Sequence, residues 1–281
     1  MTLYAHWLIN TYDIDIALRP DGYGTINQIE IIGVPHGTSI HVDGDTITIG
    51  DFTIIATPKD RDEQYTYIFI GWSVSDGQTI TGAITIIATF DRVINNYEVT
   101  IEVNDSTLGS VDKTSITVPY GTPINTSGNT LTIGSNTITA TPKAIEGYTI
   151  TFTGWSNASG TVTGARTITA NFEKEINNYT ETIKVNDSSR GTVDHNTVTV
   201  PYNTTFTTSG NKLIFNDNNK TTVTATPKAQ TDEFTFAFES WSIVSGTIKG
   251  NIEIIVNFSA TTRTYTVTLN VNPEGYGTLS Q

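Results

Sequence analysis

Histidines and carboxylates are the side chains of this sequence that could do chemistry, because the chain contains no cysteine. The four histidines make no pair at the spacing of metal ligands; they are His6, His36, His41 and His195. No serine recurs with a histidine and an acid, as a nucleophilic triad requires. The turn Asp43-Gly44-Asp45 offers oxygen ligands for Ca²⁺ but lacks the longer carboxylate series of a calcium loop, and turn formation explains it better. We therefore predict a non-enzymatic chain with no catalytic residue, no metal site and no cofactor.

The pattern that organises the chain is a tryptophan that recurs in the same setting. Gly71-Trp72-Ser73, Gly154-Trp155-Ser156 and Ser240-Trp241-Ser242 lie about 83 and 86 residues apart. A Thr-Pro pair precedes each tryptophan and an Ala-x-Phe or its equivalent follows; these anchors are Pro58, Pro142, Pro227, Phe90, Phe172 and Phe258. A pattern that returns at a fixed period indicates tandem copies of one small domain.

We expect the repeats at 12–96, 97–178 and 179–264. Residues 1–11 are interpreted as the closing strand of a truncated preceding repeat, and residues 265–281 as the opening strand of a truncated following one. Each full repeat holds roughly seven or eight short strands separated by turn signals, and no stretch has a sustained helical period. Charged residues make up only 15% of the chain, with β-branched and turn-forming residues in their place. The prediction is an all-β tandem array of small antiparallel modules.

Each repeat opens with an alternating strand, which predicts one buried face and one wet face. The inward positions are Tyr12, Ile14, Ile16 and Leu18 in the first repeat, Tyr97, Val99, Ile101 and Val103 in the second, and Tyr179, Glu181, Ile183 and Val185 in the third. Glu181 thus places a carboxylate in an apolar register. We expect it at a frayed or edge end of its strand, where it reaches water; a cross-linking or ligand-binding role is the alternative.

Two kinds of turn recur in the repeats. A glycine ends the first turn of every copy, at Gly24, Gly109, Gly191 and Gly277, and we expect it to supply a positive φ. A Val-Pro turn follows, in which Asn203 stands where the other repeats have glycine. Asparagine is the usual non-glycine residue in a left-handed conformation, so we expect that conformation at Asn203. The proline of this turn is confined to a strand end or an edge strand.

The joints between repeats are short. Ile94-Asn-Asn-Tyr97 and Ile176-Asn-Asn-Tyr179 connect strand to strand through about two or three polar residues, fewer than a flexible spacer has. Consecutive repeats are therefore expected to stand end to end with restricted bending, as an elongated rod. Small-angle scattering should show a long, thin particle, and a compact globule of the same mass would contradict this expectation.

The net charge of −13 disfavours nucleic acid, whose phosphates need a basic surface. We interpret the acidity as a means of keeping a long chain soluble, with a specific cation or basic partner as the alternative. No segment approaches the ~20 apolar residues of a membrane span, and no signal peptide follows Met1.

The repeated tryptophans have two interpretations. As core anchors they would pack inside each repeat, and as exposed platforms they would stack on sugars; the core is favoured because Trp155 lies in the most apolar strand. Tyr23 and Tyr276 recur in the first turn of the first and last copies and are the candidate exposed binding aromatics. Lys59, Lys143 and Lys228 follow the Thr-Pro pairs, which leaves a Lys–Asn isopeptide bond open as a further alternative.

The stretch from Ala140 to Phe172 resembles the divergent branch of the InlB-type B-repeats, also called the Listeria–Bacteroides repeat. The resemblance rests on Ala-Thr-Pro142, Gly147-Tyr148, Gly154-Trp155 and Ala170-Asn-Phe172, and it recurs over the whole chain. Repeat 1 departs from it with Gln64-Tyr65 where Gly-Tyr is expected. The resemblance implies tandem modules on bacterial or archaeal surface proteins. It also implies a β-rich fold, here either a helix-poor β-sandwich or a β-grasp-like variant with the helix replaced.

The function implied by this resemblance is a structural stalk. The chain would be the spacer of a secreted, cell-surface or cell-wall-anchored adhesin-like protein, with neighbouring repeats as its partners and a functional domain held away from the surface. The alternative is an adhesive module whose repeats themselves bind a glycan or a host or matrix protein.

Overall fold

The computed structural model describes residues 2–4 and 7–269 of the chain. Within them the fold is all-β, without a helix, as the composition predicts. The chain divides into two compact units, one formed by Met1–Thr141 with Phe152–Phe172 and the other by Pro142–Thr151 with Glu173–Gln281. The division passes through the second sequence repeat, so a unit is not the same thing as a repeat.

The described strands recur in one order in each repeat. Repeat 1 contains β1 (Thr11–Arg19), β2 (Gly24–Ile26), β3 (Glu30–Pro35), β4 (Ile40–Asp43), β5 (Thr46–Ile49), β6 (Phe52–Pro58), β7 (Tyr65–Trp72) and β8 (Ile84–Ile94). Repeat 2 contains β9 (Asn96–Val103), β10 (Gly109–Val111), β11 (Ser115–Pro119), β12 (Ile124–Ser127), β13 (Thr130–Ile133), β14 (Asn136–Pro142), β15 (Tyr148–Ser156) and β16 (Arg166–Ile176). Repeat 3 contains β17 (Asn178–Val185), β18 (Gly191–Val193), β19 (Thr197–Pro201), β20 (Thr205–Ser209), β21 (Lys212–Phe215), β22 (Thr222–Pro227), β23 (Phe234–Trp241), β24 (Ser245–Thr247) and β25 (Glu253–Thr262).

The first sheet of each repeat has a parallel pair at its centre. Its strand order is β3-β1-β8-β7 in repeat 1, and repeats 2 and 3 have the same order with β11-β9-β16-β15 and β19-β17-β25-β23. The first and last strands of each repeat run parallel, whereas the outer pairs are antiparallel. The modules are thus all-β and mainly antiparallel, as predicted, and the parallel central pair is a feature that the sequence pattern did not reveal. Parallel neighbours need a long crossover, and here the strands between the first and the last provide it.

This order is that of a β-grasp sheet, and the crossover forms a second sheet in place of a helix. The second sheet has the order β2-β6-β5-β4 in repeat 1 and β10-β14-β13-β12 in repeat 2, and in repeat 3 β24 joins β18-β22-β21-β20 as a fifth strand. Apolar side chains from both sheets form one core, as Ile14 and Ile86 of the first sheet and Ile47 and Ile54 of the second illustrate. Both sandwich packing and the β-grasp-like strand order are thus present in each repeat.

The opening strands lie in the predicted register. The second and third inward positions are buried in every repeat, and the first and fourth are half-buried. Period-2 alternation on a sheet with one buried face accounts for this pattern. Each of the three large core clusters falls within one sequence repeat.

The Val-Pro turn lies where the sequence places it. β3, β11 and β19 are edge strands, and each ends at its proline, whose missing N–H therefore removes no hydrogen bond from a central ladder. Asn203 has a φ of 66°, in line with Gly37 at 86° and Gly121 at 82°. The expectation of a left-handed asparagine is confirmed.

The terminal strands expected for truncated neighbouring repeats are not formed in the described residues. Residues 2–4, 7–10 and 263–269 are not in strands, and Leu3 and Trp7 are exposed. A closing strand pairs with the first strand of its own repeat, and the described residues contain no such partner for residues 2–4 and 7–10. The rest of the predicted final strand, with Gly277 and Tyr276, lies outside the described residues.

Candidate functional site

The repeated tryptophan forms an aromatic triad with two phenylalanines in each repeat. The triads are Phe69–Trp72–Phe90, Phe152–Trp155–Phe172 and Phe238–Trp241–Phe258, with ring centroids 5.5–6.5 Å apart. The closing phenylalanines are buried, Trp241 is buried, and Trp72 and Trp155 are half-buried against the cores. The indole N–H of Trp241 donates to the carbonyl of Gly210 at 3.2 Å, whereas those of Trp72 and Trp155 have no partner within residues 2–4 and 7–269. These contacts hold the tryptophans against the cores of their repeats.

The first-turn glycine is explained by packing and not by backbone conformation. Gly24, Gly109 and Gly191 do not have positive φ, so that expectation is wrong. A Cβ at each would lie 2.4 Å from the ring of the closing phenylalanine, Phe90 or its equivalent. The buried ring therefore occupies the space that any side chain at the glycine would need.

The remaining predicted site residues lie at strand ends or in surface clusters. Pro58, Pro142 and Pro227 end β6, β14 and β22. The three lysines that follow them are exposed. Tyr23 is half-buried: its ring packs on Tyr67 at 5.4 Å and Arg92 lies 5.2 Å above it. Tyr23 is therefore already engaged within its own repeat, which leaves little free ring for a ligand.

The contacts that link one repeat to the next converge on an asparagine. Asn95 is 5% exposed, and its backbone is bonded on both sides of the first joint. Its N–H donates to the carbonyl of Gln64 in repeat 1 at 2.8 Å, and its carbonyl accepts from the N–H of Tyr120 in repeat 2 at 2.8 Å. Tyr120 is the residue after the proline of the Val-Pro turn. Repeat 2 therefore contacts the joint asparagine through that turn.

The side chain of Asn95 strengthens the same joint. Its amide nitrogen donates to the carbonyls of Asp62 at 2.7 Å and Glu63 at 3.0 Å, and its amide oxygen accepts from the Thr66 hydroxyl at 2.7 Å. The hydroxyl of Tyr97, the first tyrosine of repeat 2, donates to the Glu63 carbonyl at 2.6 Å. A side chain thus reaches back from repeat 2 to the loop of repeat 1 that precedes β7.

The carboxylate of Asp62 orders that loop. It accepts hydrogen bonds from the N–H groups of Gln64 at 2.9 Å and Tyr65 at 2.7 Å and from the Tyr67 hydroxyl at 2.9 Å. The bonds from Tyr65 and Tyr67 lower the pKa of Asp62 below its ordinary value, because they favour the ionised carboxylate.

The second joint repeats the arrangement within its own unit. The N–H of Asn177 donates to the carbonyl of Gly147 at 2.9 Å, and its carbonyl accepts from the N–H of Tyr202 at 2.8 Å. The ring of Tyr202 lies so close to Gly147 that a Cβ there would be 2.1 Å from it. The Thr149 hydroxyl donates to the Asn177 amide oxygen at 2.7 Å. The glycine of the Gly-Tyr pair therefore admits the tyrosine of the next repeat.

Two further positions each make one of these two backbone hydrogen bonds. The N–H of His36 donates to the carbonyl of Asn10 at 2.7 Å ahead of repeat 1. The N–H of Arg263 donates to the carbonyl of Glu233 at 2.8 Å after repeat 3. Because backbone groups make these bonds, Gln64 and Glu233 can replace glycine without loss of the joint. The sequence contained this signal in the repeated Ile-Asn-Asn-Tyr, which predicted only a short polar linker.

Glu181 is buried, in contrast to the expected water-exposed strand end. Its residue exposure is 0%, and it occupies the core position held by Ile14 and Val99 in the other repeats. One carboxylate oxygen accepts from the N–H of Ile252 at 2.7 Å, and the other has no partner in the part of the chain that the structure describes. Burial raises the pKa of Glu181 above its ordinary value, and this outweighs the bond from Ile252.

The histidines among the described residues are all exposed. No group of three or more histidines and carboxylates within residues 2–4 and 7–269 is placed to hold a metal ion. His41 pairs with Asp76 at 2.8 Å and His195 with Asp194 at 3.3 Å, both at the surface. No helix in this part of the chain is long and apolar enough to cross a membrane.

Comparisons with known proteins find distant structural likeness. No family model and no curated protein matches the chain. Among solved structures, the chain is similar to domains 3–4 of the streptococcal high identity repeats in tandem (SHIRT) from a cell surface protein. The two are 13% identical, the match covers 59% of this chain and 99% of that one, and the TM-score is 0.25. At this level the likeness assigns neither a fold nor a function.

Proposed function

We propose that this chain is part of the stalk of a cell-surface or secreted adhesin-like repeat protein from a bacterium or archaeon. Its repeats act as spacers that hold a functional domain away from an extracellular or cell-wall surface, and neighbouring repeats are their partners. The sequence resemblance to the divergent InlB-type B-repeats supports this proposal. So does the acidic, cysteine-free and repetitive composition.

The observation that carries the proposal is the joint asparagine, bonded through its backbone to both repeats. The backbone carbonyl of each joint asparagine, Asn95 or Asn177, accepts a hydrogen bond from the Val-Pro turn of the following repeat. Its backbone N–H donates one to the loop of the preceding repeat that comes before the tryptophan strand. A flexible tether needs no such contacts, and fixing a linker costs backbone entropy of roughly 1–2 kcal/mol per residue. A spacer has a use for restricted joints, because a stiff chain spans more distance per residue than a flexible one.

Asn95→Ala should loosen the first joint. The variant loses the side-chain bonds to Asp62, Glu63 and Thr66, and a buried hydrogen-bonded group of this kind is worth about 1–3 kcal/mol. The chain has no cysteine, so spin labels can be attached at Asp43→Cys and Ser127→Cys, exposed positions at equivalent strand ends of repeats 1 and 2. Pulsed electron–electron double resonance should give a narrow distance distribution for the parent chain and a broader one for Asn95→Ala.

The matched control is Asn96→Ala. Asn96 is the adjacent residue of the same Asn-Asn pair, and its side chain is exposed. Its distance distribution should equal that of the parent. A broad distribution in the parent chain itself would refute the stalk, because the joints would then act as flexible tethers.

The second candidate function is adhesion by the repeats themselves. It is favoured by one observation, a groove beside the second joint whose side chains suit a sugar.

A further inference from the structure

We propose that the groove beside the second joint binds a neutral oligosaccharide. The groove has a volume of about 450 Å³, within the roughly 300–1,000 Å³ of small-molecule sites, and all of its lining residues lie in the same compact unit. Its lining includes Tyr148 and Ile176 of repeat 2 and Tyr202, Asn203 and Asn218 of repeat 3. This inference deepens the adhesive candidate function and rests on it.

The groove owes part of its wall to a loop found only in repeat 3. Residues 216–221 connect β21 to β22, whereas residues 50–51 and 134–135 make the same connection in repeats 1 and 2. The longer loop brings Asn216, Asp217 and Asn218 to the groove. The insertion distinguishes repeat 3 from the other two repeats.

Hydrogen bonds within the loop and to Thr205 of β20 hold the loop in place. Asp217 accepts from the backbone N–H and the hydroxyl of Thr221, both at 2.7 Å. Asn216 donates from its backbone to the carbonyl of Thr205 at 2.8 Å and from its amide to the Thr205 hydroxyl at 2.9 Å. The wall is thus ordered before a ligand arrives, which reduces the entropy lost on binding.

The groove side chains that make no internal hydrogen bond indicate the chemical class of the ligand. The amides of Asn203 and Asn218 are exposed and make no hydrogen bond to the part of the chain that the structure describes. Each offers a donor and an acceptor, the pairing that a sugar hydroxyl satisfies. Tyr202 and Ile176 supply carbon surface for the apolar faces of pyranose rings, whereas the Tyr148 ring already packs on Tyr202 at 6.1 Å and has Lys174 4.6 Å above it.

The charges at the groove disfavour other ligand classes. No lysine, arginine or histidine is among its lining residues, so a phosphate, sulfate or carboxylate has no counter-ion in the wall. The single lining carboxylate, Asp217, is engaged by Thr221, so a cation has no free ligand set. Lys174 lies 4.6 Å from the Tyr148 ring, outside the lining. A neutral polyol is the class that these groups suit.

The test is a glycan array probed with the full chain, followed by calorimetric titration of the saccharide that binds. The chain should bind neutral oligosaccharides. Asn203→Gly combined with Asn218→Ala should weaken binding at least ~10-fold, because two hydrogen-bonding side chains are lost. Glycine at position 203 preserves the left-handed backbone, since Gly37 and Gly121 occupy it in the other repeats. Asn219→Ala, an exposed loop residue outside the lining, should bind like the parent.

A second variant keeps the test decisive if the first is unstable. Replacement of residues 216–221 by the Gly134-Ser135 connection of repeat 2 removes the inserted wall and should abolish binding while the melting temperature is preserved. No neutral glycan bound by the chain, binding of acidic glycans or peptides only, or equal binding by the loop variant would each overturn the proposal. None of these results bears on the stiffness of the first joint, so failure of this site and failure of the stalk remain distinguishable.

Discussion

Gly109→Ala is expected to destabilise repeat 2 by about 1–3 kcal/mol, the usual cost of overpacking a buried site. The new methyl group would lie 2.4 Å from the ring of Phe172, which is 2% exposed and in ring contact with Phe152. The ring cannot move away without disturbing that packing. Urea denaturation should show the loss of stability, and hydrogen exchange should locate it in β10 and β14 to β16.

Gly164→Ala is the control in the same repeat. A methyl group added at Gly164 would meet no atom within 4 Å, and the residue does not have positive φ. Its replacement should change the free energy of unfolding by no more than about 0.5 kcal/mol, as for an ordinary surface site. Equal losses of unfolding free energy in the two variants would show that Gly109 is needed for chain flexibility and not for the packing of Phe172.

Glu181→Val is expected to stabilise repeat 3, by about 1–4 kcal/mol at neutral pH. Valine occupies the equivalent core position in repeat 2, and replacing a buried charge with a packed apolar side chain is often stabilising by this amount. The lost hydrogen bond from Ile252 offsets part of the gain. Urea denaturation of the two chains, with hydrogen exchange to assign the change to repeat 3, measures the effect.

The gain should grow with pH. The pKa of Glu181 is raised in the folded chain, so the folded state keeps a proton that the unfolded chain has lost. Its contribution to stability is fully present below the ordinary value of 4.5 and is lost as pH rises through the raised folded pKa. The parent should therefore lose stability relative to Glu181→Val above pH 4.5. Glu181→Gln, which cannot ionise, should show no such dependence, and parallel pH curves for parent and valine variant would contradict the assignment.

Much of the fold follows from local pattern. Alternation in the opening strands predicted which side chains face inward, including position 181, because side-chain direction depends only on strand period. The left-handed conformation of Asn203 also followed from local backbone preference. The parallel central pair did not, because pairing between the first and last strands of a repeat depends on contacts far apart in sequence.

The features that matter most for function depend on such distant contacts. Gly109 could be recognised as a special position, but its reason is a phenylalanine far along the chain. Glu181 was predicted to reach water, since apolar register alone does not tell a central strand from a frayed end. Asn95 was predicted only as part of a short polar link, because the groups it binds belong to the loop before β7 and to the next repeat.

The parallel pairing of first and last strands determines how each repeat bears tension. The chain enters along β1 and leaves along β8 in the same direction, so a pull on both ends slides the strands past each other and loads every ladder bond at once. An antiparallel terminal pair would open one bond after another. The ladder runs from Ile14 to Arg19 in repeat 1 but only from Thr182 to Val185 in repeat 3. Repeat 3 therefore has fewer ladder pairs to resist the pull than repeat 1, and we expect it to unfold at a lower force.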